Sequence, residues 1–214
     1  MVVDARARPG ARDRPGGWPA GSFLAGYPWS VCHTYEDYLQ LEPSSPHKLE
    51  YCDGEIYAMA GGSPEHGALA MQFVRLSSAS WPAACRVYSS DVKVRVDASD
   101  LSTYPDLSIV CGPLERSPRD ANAITNPRYL IEVTSPSTEH YDRGDKLSHY
   151  KQLASLQAVV LVSHRRRQLT VVRRDGGRWT QTELRAGETL QTGRRRRDHR
   201  RRAVLGRRRH PLRS

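Results

Sequence analysis

Residues 129–134 read Tyr-Leu-Ile-Glu-Val-Thr. Aromatic and β-branched residues dominate, and the apolar ones do not alternate with polar ones. Such a run predicts a strand buried on both faces, the central strand of a sheet. Its one anomaly is Glu132. A lone carboxylate in apolar surroundings is costly, so Glu132 needs a partner, a proton or a cation.

The neighbouring segments fit a sheet built around this strand. Upstream, Cys85–Val96 and Tyr104–Cys111 are rich in Val, Ile and Tyr and read as strands. Ser63–Trp81 reads as a helix with Pro64 at its first position and Leu69, Phe73, Leu76 and Ser80 on one stripe. Leu49 to Met59 forms a hairpin about Asp53-Gly54. Thr34, with Asp37 at capping-box spacing, opens a short helix that Pro43 and Pro46 stop. Downstream, Glu139–Ala154 reads as a helix and Ala158–Ser163 as an apolar strand. Gln168–Arg173 and Arg178–Leu184 read as a closing hairpin about Asp175-Gly176-Gly177. This order predicts a small α/β sandwich around a mixed sheet.

The chain has 214 residues and a formal charge of +10. That charge is local. From Arg194 to Ser214 there are 11 Arg against Asp198, and the remaining residues hold 22 basic and 22 acidic groups. A basic-protein argument for nucleic acid therefore concerns the tail alone. Residues 191–214 read as an Arg-rich disordered tail, or as the product of a reading-frame slip, which is favoured. Residues 1–30 read as disordered or an over-called start, leaving 31–190 as one domain. No run approaches the ~18 apolar residues of a membrane span. The opening residues also lack an apolar leader core, so a cytoplasmic protein without membrane contact is expected. Cys32, Cys52, Cys85 and Cys111 form no C-x-x-C pair, which fits a reduced compartment and speaks against a disulfide scaffold or a zinc ribbon.

Three pieces carry chemistry: Tyr104-Pro105-Asp106 opening a strand, Glu132 in the central strand, and Asp142-x-x-x-Lys146 on the next helix. Two converging carboxylates and a main-chain carbonyl are donors that a hard cation prefers, and a lysine adds a point charge for phosphate or water. The chain resembles the PD-(D/E)XK nuclease fold, in which Pro-Asp on one strand precedes Glu-x-Lys on the next. Pro105-Asp106 and Glu132 match; the lysine position holds Thr134. The stretches LEYCDGEIYAM, SPEHG, SSDVKVRV, YPDLSIVCG, YLIEVTSPST and DRGDKLSHYKQLASLQAVVLVS resemble the Uma-two family of restriction-endonuclease-like proteins over about residues 34–190. Two features depart from that family: Ala158-Val159-Val160 where an acid is common, and the arginine run after Leu190.

The resemblance implies a restriction-endonuclease-like mixed β-sheet flanked by helices and a Mg²⁺- or Mn²⁺-dependent endonuclease acting on DNA. Asp106, Glu132 and the Val133 carbonyl would hold the metal. Lys146, moved to the helix, would orient or help deprotonate water, and Glu50 would be an auxiliary ligand. By analogy with nucleases that cut both strands, a homodimer is expected. The alternative is a nuclease-like nucleic-acid-binding or interaction domain without catalysis. Each residue also has a plainer reading. Asp142 and Lys146 would make an ordinary i, i+4 pair on a solvated face. Glu50 would be a solvated charge, His66 a capping or core histidine, and Tyr150 a core contact. Arg165-Arg166-Arg167 would be a solvated turn or a phosphate contact.

Overall fold

The computed structural model describes residues 32–59, 61–190 and 203–204. The expectations for residues 1–30 and for most of 191–214 lie outside the described residues.

Helix α1 (Tyr35–Leu41) begins at the capping box expected of its sequence. Thr34 Oγ1 accepts from Asp37 N at 3.1 Å, and Thr34 N donates to Asp37 Oδ2 at 2.7 Å. Strands β1 (Leu49–Cys52) and β2 (Glu55–Ala58) form the hairpin. Its turn residues Asp53 and Gly54 have φ of 46° and 90°, the left-handed pair that a two-residue hairpin requires. Ser63 caps α2 (Pro64–Ser77), its hydroxyl accepting from His66 N at 3.3 Å.

Of the two strands expected upstream of Tyr129, one is broken and one starts late. The first divides into β3 (Cys85–Ser89) and β4 (Lys93–Val96). Ser89 makes the turn between them: its hydroxyl accepts from Asp91 N at 3.3 Å and its carbonyl from Val92 N at 3.1 Å. The second, expected from Tyr104, begins only at Leu107, and a short strand that was not expected precedes it. Pro105 has no N–H for a ladder, so β5 (Leu101–Thr103) and β6 (Leu107–Cys111) are separate. At each break the chain passes from one sheet to another.

The single mixed sheet is thus two. With β7 (Ala123–Ile124), the first has order β2-β1-β5-β4-β7. The second has order β11-β10-β9-β8-β6-β3, from β8 (Tyr129–Val133), β9 (Ala158–Val162), β10 (Gln168–Asp175) and β11 (Arg178–Arg185). β8 is central, antiparallel to β6 and parallel to β9. The helix expected over Glu139–Ala154 also divides at Gly144, whose φ and ψ are both −102°, into α3 (Glu139–Arg143) and α4 (Asp145–Tyr150).

The layers follow from the apolar faces. Val94, Val96 and Leu101 of the first sheet meet Val110, Leu130, Val159 and Leu161 of the second, with Leu147 and Tyr150 of α4 in the same core. Ala70 and Phe73 of α2 cover the far face of the second sheet, against Ile109, Ile131 and Val133. Tyr35 and Tyr38 of α1 pack with Leu49 and Tyr51.

Two expectations need correction. Cys85 and Cys111 are joined as a disulfide, although their spacing suggested no pairing. They lie directly opposite in the β3–β6 register, a relation that sequence separation hides. Cys32 and Cys52 are free. In the arginine-rich stretch, β13 (Ala203–Val204) pairs antiparallel with β12 (Thr189–Leu190), where no structure was expected. Ala203-Val204-Leu205 is the apolar run in that stretch.

Candidate active site

Alternation along β8 aims Ile131 and Val133 at α2 and leaves Glu132 on the face of Leu130, toward the core between the sheets. There Glu132 is 4% exposed. Its Oε1 accepts from the Tyr150 hydroxyl at 2.6 Å and lies 3.0 Å from Lys146 Nζ. Its Oε2 accepts from Asp106 N at 3.4 Å. Lys146 is 6% exposed, so it is not a solvated helix lysine. It also lies 3.9 Å from Glu50 Oε1. Glu50, buried on β1, accepts from Tyr104 N at 3.1 Å and from the Thr103 hydroxyl.

Asp106 sits where the chain enters β6. Its Oδ2 accepts from Val133 N at 2.7 Å, and its Oδ1 meets His66 Nε2 at 2.8 Å. The side chains of Asp106 and His66 are 19% and 25% exposed, against 5% for Glu132, so this pair forms the open edge of the site. The Val133 N–H faces the Asp106 side of β8. In extended backbone the carbonyl of the same residue points to the same edge. Thr134, in the usual lysine position, is buried against the Val162 carbonyl and His164 and does not join the cluster.

Glu50, Asp106, Glu132 and Lys146 therefore come together at the junction of the two sheets. Three further residues contribute, each of which also had a plainer reading in the sequence. Asp142 is buried beside Lys146 rather than lying on a solvated face. Tyr150 reaches Glu132 with its hydroxyl while its ring stays in the core. His66 holds Asp106 as well as starting α2. A signal for the first two existed: Asp142, Lys146 and Tyr150 recur every four residues, and a stripe ending in an aromatic faces inward.

The electrostatics follow from burial. Desolvation lifts the Glu132 carboxyl to about 8 against the pull of Lys146, and the charges of Asp106 and Asp142 push the same way. Burial likewise raises Asp142. Attraction to Glu132, Glu50 and Asp142 overcomes the burial of Lys146 and holds its ammonium well above the usual lysine range. The hydrogen bond to Asp106 raises His66. The cluster is thus an excess of carboxylates around one firmly protonated lysine.

Among the described residues no group of three or more His, Cys, Asp or Glu side chains converges as a metal cage. The donor set still suits Mg²⁺, which is commonly held by one or two carboxylates with water and phosphate completing the shell. Asp106, Glu132 and the Val133 carbonyl are such donors, and a cation beside them would relieve the carboxylate excess.

A two-sheet α/β fold with paired carboxylates and a lysine at the sheet junction defines the restriction-endonuclease-like class. The family model described as "Putative restriction endonuclease" (Uma2) matches residues 35–194, and the chain belongs to that family. It is 35% identical to an uncharacterized protein (slr1290) of Synechocystis sp. over 158 residues, covering 73% of this chain and 82% of that protein. It is 28% identical to a second uncharacterized Synechocystis protein (sll1609), covering 71% of this chain and 86% of that one. The crystal structure of a putative nuclease belonging to DUF820 from Anabaena variabilis superposes with a TM-score of 0.61 at 20% identity, covering 75% of this chain and 89% of that chain. Among the described residues no helix is long and apolar enough to cross a membrane.

Proposed function

We propose that the protein is a divalent-metal-dependent endonuclease that hydrolyses phosphodiester bonds in DNA. The observation that carries this reading is the meeting of Asp106, Glu132 and Lys146, from three separate parts of the chain, at one partly open junction. Asp106, Glu132 and the Val133 carbonyl would hold Mg²⁺ or Mn²⁺. When bound, the cation would polarise the scissile phosphate and acidify the attacking water.

The protein's own groups do the rest. Lys146 stays protonated, so it acts as a fixed charge and donor that orients water and offsets charge on the phosphoryl oxygens, not as a base. Glu132, whose proton burial retains in the absence of a cation, would lose it on holding one and serve as a carboxylate ligand. Tyr150 fixes the Glu132 carboxylate, and His66 fixes Asp106 at the entrance. Glu50, tied to the main chain of Tyr104, supports Lys146 from the other sheet. A double-strand cut needs two such sites, so this reading pairs two chains on one duplex.

A second reading is a nuclease-like binding domain without catalysis. Thr134 in the lysine position favours it. Incubating supercoiled plasmid with the purified protein separates the two. The nuclease reading expects nicking or linearisation with Mg²⁺ or Mn²⁺ and none with EDTA. Intact plasmid across a range of both metals would leave the binding domain.

A further inference from the structure

We infer that the Arg165-Arg166-Arg167 turn between β9 and β10 grips the phosphate backbone of duplex DNA beside the active site. The inference rests on the nuclease reading above and adds the surface that holds the substrate.

The turn stands at the site's end of the sheet. β8 and β9 run parallel, so the chain leaves both at the same edge. Thr134 lies two residues beyond Glu132 on the same face, about 7 Å along the strand. Thr134 N donates to the Val162 carbonyl at 2.9 Å, and Thr134 Oγ1 meets His164 Nδ1 at 3.4 Å. The arginines therefore follow directly from a residue tied to the strand that carries Glu132.

The turn is also built rather than loose. The Ser163 hydroxyl accepts from Arg165 N at 3.3 Å and Arg166 N at 3.2 Å, and Ser163 N donates to the Gln168 carbonyl at 3.1 Å. Arg165 Nε donates to His164 Nε2 at 3.0 Å, which places the imidazole proton on Nδ1, toward Thr134.

All three arginines are exposed, and among the described residues none meets a carboxylate. Three consecutive exposed guanidinium groups without a carboxylate partner suit an anionic polymer. Arginine forks match phosphate oxygens, and backbone contacts set the register of a duplex over a reacting centre without reading its sequence.

The test uses the full chain with Arg165→Ser, Arg166→Ser and Arg167→Ser together. Its affinity for a fluorescent duplex is measured in EDTA over a range of NaCl. Each lost phosphate contact flattens log Kd against log salt by about 0.9, so the slope should fall by about 2–3 with an unchanged Tm. An unchanged slope in a chain whose parent binds duplex overturns the inference and leaves the nuclease reading standing. A parent that neither binds nor cleaves duplex overturns that reading instead. Binding lost for poly-glutamate but kept for duplex would make the turn a protein-docking surface and would also overturn the inference. If the triple variant melts early, a photo-crosslinking residue at Arg166 in the otherwise unaltered chain decides: cross-linking to duplex supports the inference, and its absence overturns it.

Discussion

Glu132 is the residue on which the most depends. Its carboxyl titrates near 8 when buried but near the ordinary glutamate value in the unfolded chain. As pH rises from about 4.5 to 8, the unfolded chain loses this proton and the folded one keeps it, so metal-free stability falls across that window. Asp142, also raised, acts in the same direction. His66, raised by Asp106, contributes stability below its unfolded pKa that is lost as pH climbs through the higher folded value. Thermal melts in EDTA should therefore show Tm falling from pH 5 to pH 8. Glu132→Gln should flatten that fall, and an identical pH profile in the variant would mean that the carboxyl is not buried as described. Tyr150→Phe removes one donor to the same carboxylate. It should cost about 0.5–1.5 kcal/mol in denaturant unfolding at pH 7, the scale of a hydrogen bond between neutral groups, since the carboxyl is then protonated.

At the scale of elements, what could be read from sequence was what local chemistry decides. The Thr34 capping box, the Asp53-Gly54 hairpin, Pro64 opening α2 and the apolar run of β8 are each set by a few adjacent residues. The break at Ser90–Val92 was missed because alternation of side chains continues across it while the hydrogen-bonding partner changes. The Cys85–Cys111 pairing and the inward aim of Asp142 were missed for a related reason. Both depend on register or on a neighbouring sheet, which single-chain periodicity does not encode. The site acids stood out because a carboxylate beside apolar sequence is costly, whereas Tyr150 and Asp142 looked ordinary in their own helix. Gly54 gives a test at this scale. A Cβ there would require a left-handed alanine and would collide with Cys32 Sγ. Gly54→Ala should lower stability by more than about 1 kcal/mol in urea unfolding, and a neutral result would mean that the turn has another conformation.

For the whole molecule, charge and chemistry are separated along the chain. Residues 1–193 carry no net charge and the last 21 residues carry the net +10, so non-specific affinity for nucleic acid should lie mostly in that segment. Replacing its 11 arginines with Gln should flatten the salt dependence of duplex binding while leaving Glu132, Asp106 and Lys146 undisturbed. Keeping the segment's length preserves the β12–β13 pair, which a truncation would remove. Equal salt slopes in the two proteins would place the affinity in the folded body.

The site itself is assembled from both sheets and α4, so its claim to catalysis is a claim about the whole arrangement. Single-turnover cleavage of a linear duplex by excess protein in Mg²⁺, with binding to the same duplex followed in parallel, tests it most directly. Asp106→Asn and Glu132→Gln should each slow cleavage by about 10²–10⁴-fold, the range for loss of a positioned acid–base or charge-stabilising group, while the duplex remains bound. Cleavage by either variant at the unaltered rate would contradict the account and move the reacting centre away from the junction of the two sheets.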